Sequence, residues 1–298
     1  MTKKPRLAIS FSGGRTSAVM TKRLIEQCRD THEISVNFAN TGEEHYKTLD
    51  FVHQCDTAFG LNVVWLEAVI DPEQGSGVRH KIVSYNTASR NGEPFAAYIK
   101  KYGIPNMGSP QCTQRLKIDV LNSYIHRELG WKRRSYQTAI GIRADEARRV
   151  SKDAAKNHFI YPLVDAGVTK DDVVNEVRSW GFDLQISEQL GNCKWCWKKS
   201  NRKLMTLALE HPDVFDFPLR MEAEFSGFKV TPATTSPDGR RLFFRGHKSA
   251  ADIVELARTS DFEKFSDKYQ TNIFDPALDM SSGCGMSSCE IGADDFEP

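Results

Sequence analysis

The stretch LAISFSGGRTSAVM, residues 7–20, places an apolar segment directly before a pair of glycines and a helical pattern. Glycines let backbone amides approach an anion closely, and the N-terminus of a helix adds positive potential at the same place. The stretch therefore predicts a phosphate-binding loop between a strand and a helix. It lacks the Gly-Lys-Ser/Thr ending of the common nucleoside triphosphate loop and the three spaced glycines of the dinucleotide loop. An ordinary glycine turn capped by a hydroxyl is the alternative.

The residues around this glycine pair are candidate phosphate ligands. Hydroxyl groups donate hydrogen bonds to phosphate oxygens, glycine amides approach the anion, and a guanidinium supplies charge. Ser12 is also a candidate catalytic residue. The residues predicted to bind nucleotide in this loop are Ser10, Ser12, Gly13, Gly14, Arg15, Thr16 and Ser17.

Strand and helix patterns alternate through the first half of the chain. The segment EISVNFANTGEE, residues 33–44, predicts a second strand that ends in a polar loop, and residues 61–70 predict a third. The helical pattern between them ends at Gly60. This alternation indicates an α/β fold, a Rossmann-like parallel sheet with helices on both faces and ligand groups at the carboxyl ends of its strands. Asn40, Thr41 and Gly42 follow the second strand, where such groups collect. A solvent-exposed turn is the alternative for this loop.

The alternation stops near residue 186. We therefore expect a nucleotide-binding α/β domain over residues 1–185 and a smaller cysteine-containing region over residues 186–298. Residues 71–110 are rich in Gly, Pro, Asn and Ser and are too long for a simple connection, which predicts a partly helical insertion or lid. Thr169 and Asp172 have the spacing of a capping box at the start of a later helix.

Composition excludes several classes of protein. The chain has 298 residues and a formal net charge of +1, so no global field favours nucleic acid or membrane. The sequence shows neither a signal peptide nor a stretch that approaches a membrane span, which predicts a cytoplasmic protein without a membrane partner. In that compartment the seven cysteines are expected to be thiols, metal ligands or redox residues rather than structural disulfides.

Five of the cysteines are candidates for chemistry. Cys193 and Cys196 form a C-x-x-C pair, which is compatible with a redox dithiol, half of a zinc site or half of an iron–sulfur site. Cys112 begins an amphipathic helical pattern. We expect Cys28 and Cys55 to be small buried apolar residues. The candidate metal ligands are Cys112, Cys193, Cys196, Cys284 and Cys289.

Four ordered segments resemble one known superfamily. They are SFSGGRTS (10–17), NFANTGEEHYKTLDFV (37–52), KYGIPNMGSPQCTQRLKIDVLNSYI (101–125) and IGIRADEARR (140–149). Together they resemble the PP-loop ATP pyrophosphatases, in the branch of the phosphoadenosine phosphosulfate reductases. The resemblance implies an adenine nucleotide α-hydrolase-like fold. It also implies a loop that holds the β- and γ-phosphates of ATP, with attack at the α-phosphorus.

The resemblance also implies roles for residues outside the loop. It places Asn40, Thr41 and Gly42 near the nucleotide, and Arg143 at the end of a central strand as a catalytic phosphate ligand, with Mg²⁺ neutralising the triphosphate. A solvated charge cluster is the alternative for the arginines, and a surface lysine is the alternative for Lys117. Glu43 and Asp145 are candidate Mg²⁺ ligands. The remaining nucleotide ligands predicted in this way are Lys117, Gly141 and Arg149.

Similar enzymes pair this loop with an iron–sulfur cluster. The sulfur transferases of transfer RNA and the ATP pyrophosphatase component of DNA phosphorothioation systems look similar in this respect. The resemblance implies a [4Fe–4S] cluster on Cys112, Cys193, Cys196 and one of Cys284 and Cys289, with Zn²⁺ as the alternative. Cys289 is also a candidate catalytic sulfur carrier, and a disulfide between Cys284 and Cys289 is a further alternative.

Three functions are compatible with these features. The favoured one is an ATP pyrophosphatase that adenylylates an acceptor for sulfur transfer, with nucleic acid as acceptor and a cysteine desulfurase as sulfur donor. DNA phosphorothioation is the preferred system and transfer RNA thiolation is next. Segments 131–134, 195–203 and 239–248 mix aromatic and basic residues, a composition typical of contact with single strands.

The other two functions are a thiol-dependent sulfonucleotide reductase and a nucleotide-binding partner subunit without turnover. Assimilatory reductases carry a Glu-Cys-Gly-x-His segment near the C-terminus, and this chain has SGCGMSSCE, residues 282–290, instead. That departure argues against simple sulfonucleotide reduction. The oligomeric state is not predicted.

Overall fold

The computed structural model describes residues 4–73, 75 and 77–266. Its centre is a sheet of six strands: β1 (Arg6–Ser10), β2 (Glu33–Asn40), β3 (Val63–Ile70), β4 (Val78–Val83), β5 (Gln137–Ile140) and β6 (Phe159–Ile160). Their spatial order is β4-β3-β2-β1-β5-β6. All neighbours are parallel except β3 and β4, and Ile9 of β1 lies between Val36 and Ala139. The predicted α/β class with a mainly parallel sheet is confirmed.

The helices follow the expected alternation and then dominate the second half of the chain. They are α1 (Arg15–Cys28), α2 (Tyr46–Phe59), α3 (Glu93–Tyr102), α4 (Asp119–Arg127), α5 (Ala154–Asn157), α6 (Pro162–Asp165), α7 (Lys170–Arg178), α8 (Asn201–Glu210), α9 (Asp216–Phe225) and α10 (Ala250–Thr259). A π-helical segment, Gln114–Ile118, runs directly into α4, and short 3₁₀ segments occupy Ala144–Arg149, Glu188–Leu190 and Pro212–Phe215.

Local signals in the sequence explain where α2 ends and where α7 begins. Gly60 caps α2 in the left-handed conformation, with φ of 57°. Thr169 and Asp172 form the predicted capping box of α7. The predicted insertion is partly helical through α3, and it also contributes the edge strand β4.

Two hydrophobic cores cover the two faces of the sheet. Leu7 and Ile9 belong to the core under α1, α2 and α7, whereas Ala8 between them belongs to the other core. This is the period-two alternation of a strand buried on both faces. The second core combines Phe95 of the insertion with Trp195 and many other residues of the C-terminal region. The insertion and the C-terminal region therefore pack together on one face, and the division near residue 185 stays a prediction.

Glu222 is a buried carboxyl that makes stability depend on pH. It accepts hydrogen bonds from the amides of Phe243 and Ala250 at 3.0 and 2.8 Å, and burial raises its pKa from 4.5 to about 7. The folded protein keeps this proton to a higher pH than the unfolded chain, so the stability it contributes is complete below pH 4.5 and is lost as pH rises to about 7.

Between acid and neutral pH, the titration of Glu222 is expected to lower the unfolding free energy of the wild type by about 3 kcal/mol. Glu222→Gln should abolish this part of the fall. Urea unfolding at several pH values measures this slope. Glu224→Gln, on the exposed face of the same helix, should leave the slope as it is. An unchanged slope in the Glu222 variant would contradict the assignment.

No helix among the residues that the structure describes is long and apolar enough to cross a membrane.

Candidate functional site

The glycine pair lies at the point where the strand order reverses. The chain extends from β1 through β2 and β3 on one side and from β5 to β6 on the other. Open α/β sheets bind ligands at such a switch point, beyond the carboxyl ends of the strands. The loop after β1, residues 11–14, and the loop after β5, residues 141–143, meet there. We call residues 11–17 the phosphate loop.

Hydrogen bonds within the phosphate loop hold its shape. The Ser12 hydroxyl donates to Oγ of Ser17 at 3.0 Å, and the Ser17 hydroxyl donates to the carbonyl of Gly14 at 2.9 Å. Gly14 is the N-cap of α1, and since glycine has no side chain, no side-chain capping hydrogen bond from this residue occupies the first amides of the helix. Gly141 packs on the start of this helix, because a methyl group there would lie 3.0 Å from the Ser17 Cα. The loop therefore turns the first amides of α1 toward the switch point.

Gly13 requires glycine for two independent reasons. Its φ is 81°, and a methyl group would lie 2.7 Å from Cγ2 of Thr48. Gly14 differs, with φ of −93° and nothing closer than 4.0 Å to an added methyl group. Gly13→Ala is expected to lower the unfolding free energy by about 1–3 kcal/mol, whereas Gly14→Ala should lower it much less. Chemical denaturation of both variants measures this, and equal losses would contradict the strained turn.

The predicted arginines are engaged in ion pairs around this loop. Arg15 binds Asp183 through two hydrogen bonds of 2.6 and 2.8 Å. Arg143 donates to the Thr16 hydroxyl at 3.2 Å and pairs with Asp145 at 3.0 Å. Arg143 therefore contacts the phosphate loop and also belongs to a cluster of charged side chains with Asp145 and Glu146. Sequence reasoning missed Asp183, which lies far along the chain and carries no local signal.

The acidic residues near Arg143 keep it charged. Burial alone would lower the pKa of Arg143, but the hydrogen bond to Asp145 and the charges of Glu146 and Asp145 raise it. Glu146 also pairs with Arg149 at 2.6 Å. Asp145 is thus an ion-pair partner, and its predicted role as a Mg²⁺ ligand stays a prediction, as do the phosphate contacts of Arg143 and Arg149.

The loop after β2 contacts both the insertion and the C-x-x-C segment. Asn40 is fully buried and donates to Glu67 at 2.7 Å and to the Ser89 carbonyl at 2.8 Å. Gly42 packs against the insertion, and the Thr41 hydroxyl lies 3.6 Å from Sγ of Cys193. These contacts brace the insertion and the cysteine region. Contact of Asn40, Thr41 and Gly42 with a nucleotide stays a prediction.

The same loop is paired with the C-x-x-C segment. Glu44 and Cys193 form an antiparallel bridge, and the amide of Lys194 donates to the Glu43 carbonyl at 2.9 Å. The Glu43 carboxyl is 1% exposed and accepts a hydrogen bond of 2.5 Å from the Trp195 indole. Burial raises the pKa of Glu43 to about 7. Its contact with Trp195 was not foreseen from the sequence, which offered Glu43 only as a Mg²⁺ ligand.

Three of the predicted cysteine ligands converge on one cavity. Cys112, at the start of the π-helical segment, lines it together with Cys193 and Cys196 from the C-x-x-C pair. We call this space the cysteine cavity. Its other walls are largely apolar and are formed by Thr41, Phe95, Thr113, Leu116, Lys117, Trp195, Trp197 and Lys198.

A second cavity lies against the phosphate loop. We call it the phosphate cavity; its walls are Ser10, Phe11, Ser12, Ala39, Thr113, Lys117 and Leu121. Thr113 and Lys117 therefore line both cavities. Thr113 directly precedes the π-helical segment and Lys117 lies within it, so this segment sets the positions of both residues. Such segments are frequent at functional sites. Because Lys117 lines both cavities, this cationic residue lies between the thiols and the phosphate loop. Its ammonium is 3.6 Å from the Glu44 carboxylate.

The lining of the cysteine cavity fits a thiophilic group. Three sulfurs are soft ligands, and the buried indole N–H of Trp197 has no hydrogen-bond partner in the described part of the chain, so a sulfur acceptor would satisfy it. Within residues 4–73, 75 and 77–266, no group of three or more His, Cys, Asp or Glu side chains is arranged to hold a single metal ion. The two other predicted ligands, Cys284 and Cys289, lie outside the described residues.

One prediction from the sequence is wrong. The aromatic side chains of the three basic segments are buried and cannot stack on bases: Trp131, Trp195, Trp197, Phe243 and Phe244 are at most 3% exposed. They belong to the core under the sheet. Lys199, Lys203 and Arg241 are buried as well. Lys132, Arg133 and Arg134 are exposed, but they precede β5 and so lie at the opposite edge of the sheet from the phosphate loop.

Comparison with known proteins agrees with the resemblance of the four sequence segments. The family model of the phosphoadenosine phosphosulfate reductase domain matches residues 6–157. The uncharacterized nin region protein ORF290 of Escherichia phage lambda is 30% identical over 298 residues, 97% of each chain. The uncharacterized protein MJ0973 of Methanocaldococcus jannaschii is 27% identical over 234 residues, 72% of this chain and 48% of that protein. The matched family region contains the phosphate loop, Cys112, Lys117 and Arg143, and it ends before the C-x-x-C pair.

Proposed function

The chain belongs to the phosphoadenosine phosphosulfate reductase domain family, and we propose that it cleaves ATP between the α- and β-phosphates to activate an acceptor for sulfur transfer. The observation that carries this proposal is the shared wall of the two cavities. Thr113 and Lys117 line both the phosphate cavity and the cysteine cavity. A nucleotide on the phosphate loop and a sulfur on a cysteine would therefore lie against the same two residues.

The phosphate loop is suited to hold the leaving pyrophosphate. The amides at the start of α1 and the hydroxyl of Thr16 offer hydrogen bonds to the β- and γ-phosphates. Arg143, held against Thr16, adds a charge that stays positive. Lys117 then lies on the side of the cysteine cavity, where it would stabilise negative charge that develops at the α-phosphate. Mg²⁺ would supply further neutralisation of the triphosphate oxygens.

Two bond exchanges account for the reaction. In the first, an oxygen of the acceptor attacks the α-phosphorus, and the α–β bond breaks with release of pyrophosphate. In the second, the terminal sulfur of a cysteine persulfide attacks the activated atom of the acceptor and displaces AMP. The resulting disulfide between acceptor and cysteine is cleaved by a second thiolate, which releases the thiolated acceptor and leaves two cysteines oxidised. A dithiol reductant then restores both thiols.

The cysteine cavity holds the sulfur chemistry. Cys112, Cys193 and Cys196 are the ligands that a [4Fe–4S] cluster would use here, with one of Cys284 and Cys289 as the fourth, and Zn²⁺ is the alternative. With the three cavity cysteines alone as ligands, such a cluster would leave one iron open to bind sulfide. The protein contributes an apolar enclosure, the cations Lys117 and Lys198, and the Trp197 N–H as a donor to sulfur.

The acceptor follows from resemblance rather than from the surface of the protein. Nucleic acid is our proposed acceptor, with DNA phosphorothioation as the preferred system and transfer RNA thiolation next, and a cysteine desulfurase as the sulfur donor. Since the aromatic residues of the basic segments are buried, any contact with nucleic acid must use other residues. Sulfonucleotide reduction is the second candidate, because the family description names that reaction.

The experiment compares the two nucleotides on one sample. Protein purified without oxygen is given either ATP or phosphoadenosine phosphosulfate, with thioredoxin as reductant, and AMP, ADP, pyrophosphate and sulfite are quantified. We expect AMP and pyrophosphate from ATP in the presence of acceptor nucleic acid, and no sulfite. Sulfite from the sulfonucleotide without cleavage of ATP would establish the reductase instead. Iron, zinc and acid-labile sulfide are measured on the same protein.

A further inference from the structure

A buried lysine holds the segment that carries the C-x-x-C pair, residues 191–196, which we call the cysteine loop. Lys199 is 2% exposed. Its ammonium donates to the carbonyl oxygens of Gly191, Cys193 and Lys194 at 3.1, 2.6 and 2.8 Å. These acceptors match the three N–H donors of an ammonium group. All three belong to the cysteine loop. One is the carbonyl of Cys193 itself, and the other two precede and follow it in the chain.

The position of this lysine carries two energetic costs. Lysine is almost never fully buried unless its charge is compensated, because the ammonium loses its hydration. Lys199 also directly precedes Ser200, the N-cap of α8, and the positive end of a helix disfavours a nearby cation. An apolar side chain would avoid both costs. The three hydrogen bonds to the cysteine loop help to offset both costs.

We propose that Lys199 is a positioning residue that builds the cysteine loop before any metal or sulfur binds to it. A peptide bond is planar and trans, so a carbonyl that turns toward the ammonium fixes the direction of the following amide. Carbonyls fixed at Gly191, Cys193 and Lys194 therefore fix the backbone on both sides of Cys193. The bond from the Lys194 amide to the Glu43 carbonyl, 2.9 Å, is a second anchor.

This arrangement distinguishes the cysteine loop from metal sites that fold only when their metal binds. In zinc fingers the metal supplies the folding free energy, and removal of the metal unfolds the site. Here the ammonium replaces the metal in that role, so the backbone of the cysteine loop is already built before a metal or a persulfide binds. The inference needs no cleavage of ATP, and it can hold or fail independently of the proposed function.

The test uses Cd²⁺ as a thiolate probe on the full chain, made metal-free and reduced without oxygen. Wild type, Lys199→Met, Lys199→Arg and Lys203→Met are titrated, and the ultraviolet charge-transfer band of cadmium thiolate is followed. Lys203 is the matched control, since it is equally buried, at 1% exposed, and its ammonium pairs with Glu188 at 3.1 Å. Hydrogen exchange of residues 191–199 is measured in wild type before and after Cd²⁺.

We expect Lys199→Met to weaken Cd²⁺ binding about 10- to 100-fold, the usual effect of losing a group that orients metal ligands. Lys199→Arg should restore part of the affinity, and Lys203→Met should leave it near the wild-type value. The metal-free wild-type loop should already be protected from exchange. Equal weakening by Lys199→Met and Lys203→Met, or a wild-type loop that is protected only after Cd²⁺ is added, would overturn the proposal. The exchange result decides the matter even if Lys199→Met fails to fold.

Discussion

Cys193→Ser is expected to reduce sulfur transfer at least about 100-fold, since loss of a sulfur ligand exceeds the loss of a group that only orients one. Cys193 lines the cysteine cavity, pairs through its backbone with Glu44 and lies 3.6 Å from the Thr41 hydroxyl. Serine keeps the shape of the side chain but replaces a soft thiolate with a hydroxyl that neither carries a persulfide nor binds iron. Activation of the acceptor precedes the sulfur step, so pyrophosphate release should persist.

Cys28→Ser is the matched control for this variant. Cys28 is half-buried at the end of α1 and packs against the core on the other face of the sheet. Its replacement should leave sulfur transfer, iron content and colour as in wild type. The measurement is transfer of label from radiolabelled cysteine, through a cysteine desulfurase, to DNA and to transfer RNA in separate reactions. Equal activity of the two variants would remove the cysteine cavity from the mechanism.

Lys117→Met is expected to lower pyrophosphate release from ATP by about 100- to 1,000-fold, the usual loss when one donor to developing negative charge is removed. Lys117 lines both cavities, and it lies 3.6 Å from the carboxylate of Glu44. Sulfur transfer should fall with pyrophosphate release, because the acceptor is no longer activated. Steady-state assays of both products at several ATP concentrations measure the effect.

Glu44→Gln separates the two functions of this ion pair. Glutamine removes the charge opposite Lys117 but still accepts the hydrogen bonds from Thr41, whose amide and hydroxyl now bind the Glu44 carboxylate at 2.9 Å. Pyrophosphate release should then stay within the range of wild type. If both variants lose activity equally, Lys117 holds the loop after β2 in place and does not act on the nucleotide.

The sequence predicted the part of the site that local patterns encode. The phosphate loop between β1 and α1 was predictable because a strand, two glycines and a helix follow one another within residues 7–20. The sheet class followed from the alternation of strands and helices. The convergence of Cys112 with Cys193 and Cys196 was inferred from family resemblance and then found in one cavity.

Long-range partners were not predictable. Asp183 binds Arg15 across 168 positions of sequence, and the Trp195 indole binds Glu43 across 152 positions. No periodicity or spacing marks such pairs, because only the packing of the C-terminal region against the sheet brings them together. The aromatic segments were misinterpreted for the same reason. Tryptophans flanked by lysines suit a nucleic-acid surface and a core equally well, and the structure places Trp195 and Trp197 in the core.

We propose that one protein couples ATP cleavage at the phosphate loop to sulfur chemistry in the neighbouring cysteine cavity. The most direct measurement follows ATP labelled at the α-phosphate and sulfur from labelled cysteine in the same anaerobic reaction, with acceptor nucleic acid and a cysteine desulfurase. We expect AMP and thiolated acceptor to form together in wild type. Cys193→Ser should transfer the labelled adenylyl group to the acceptor without releasing AMP or thiolating it, and Lys117→Met should do neither. Release of ADP in place of AMP, or thiolation that proceeds without ATP, would contradict the proposed coupling.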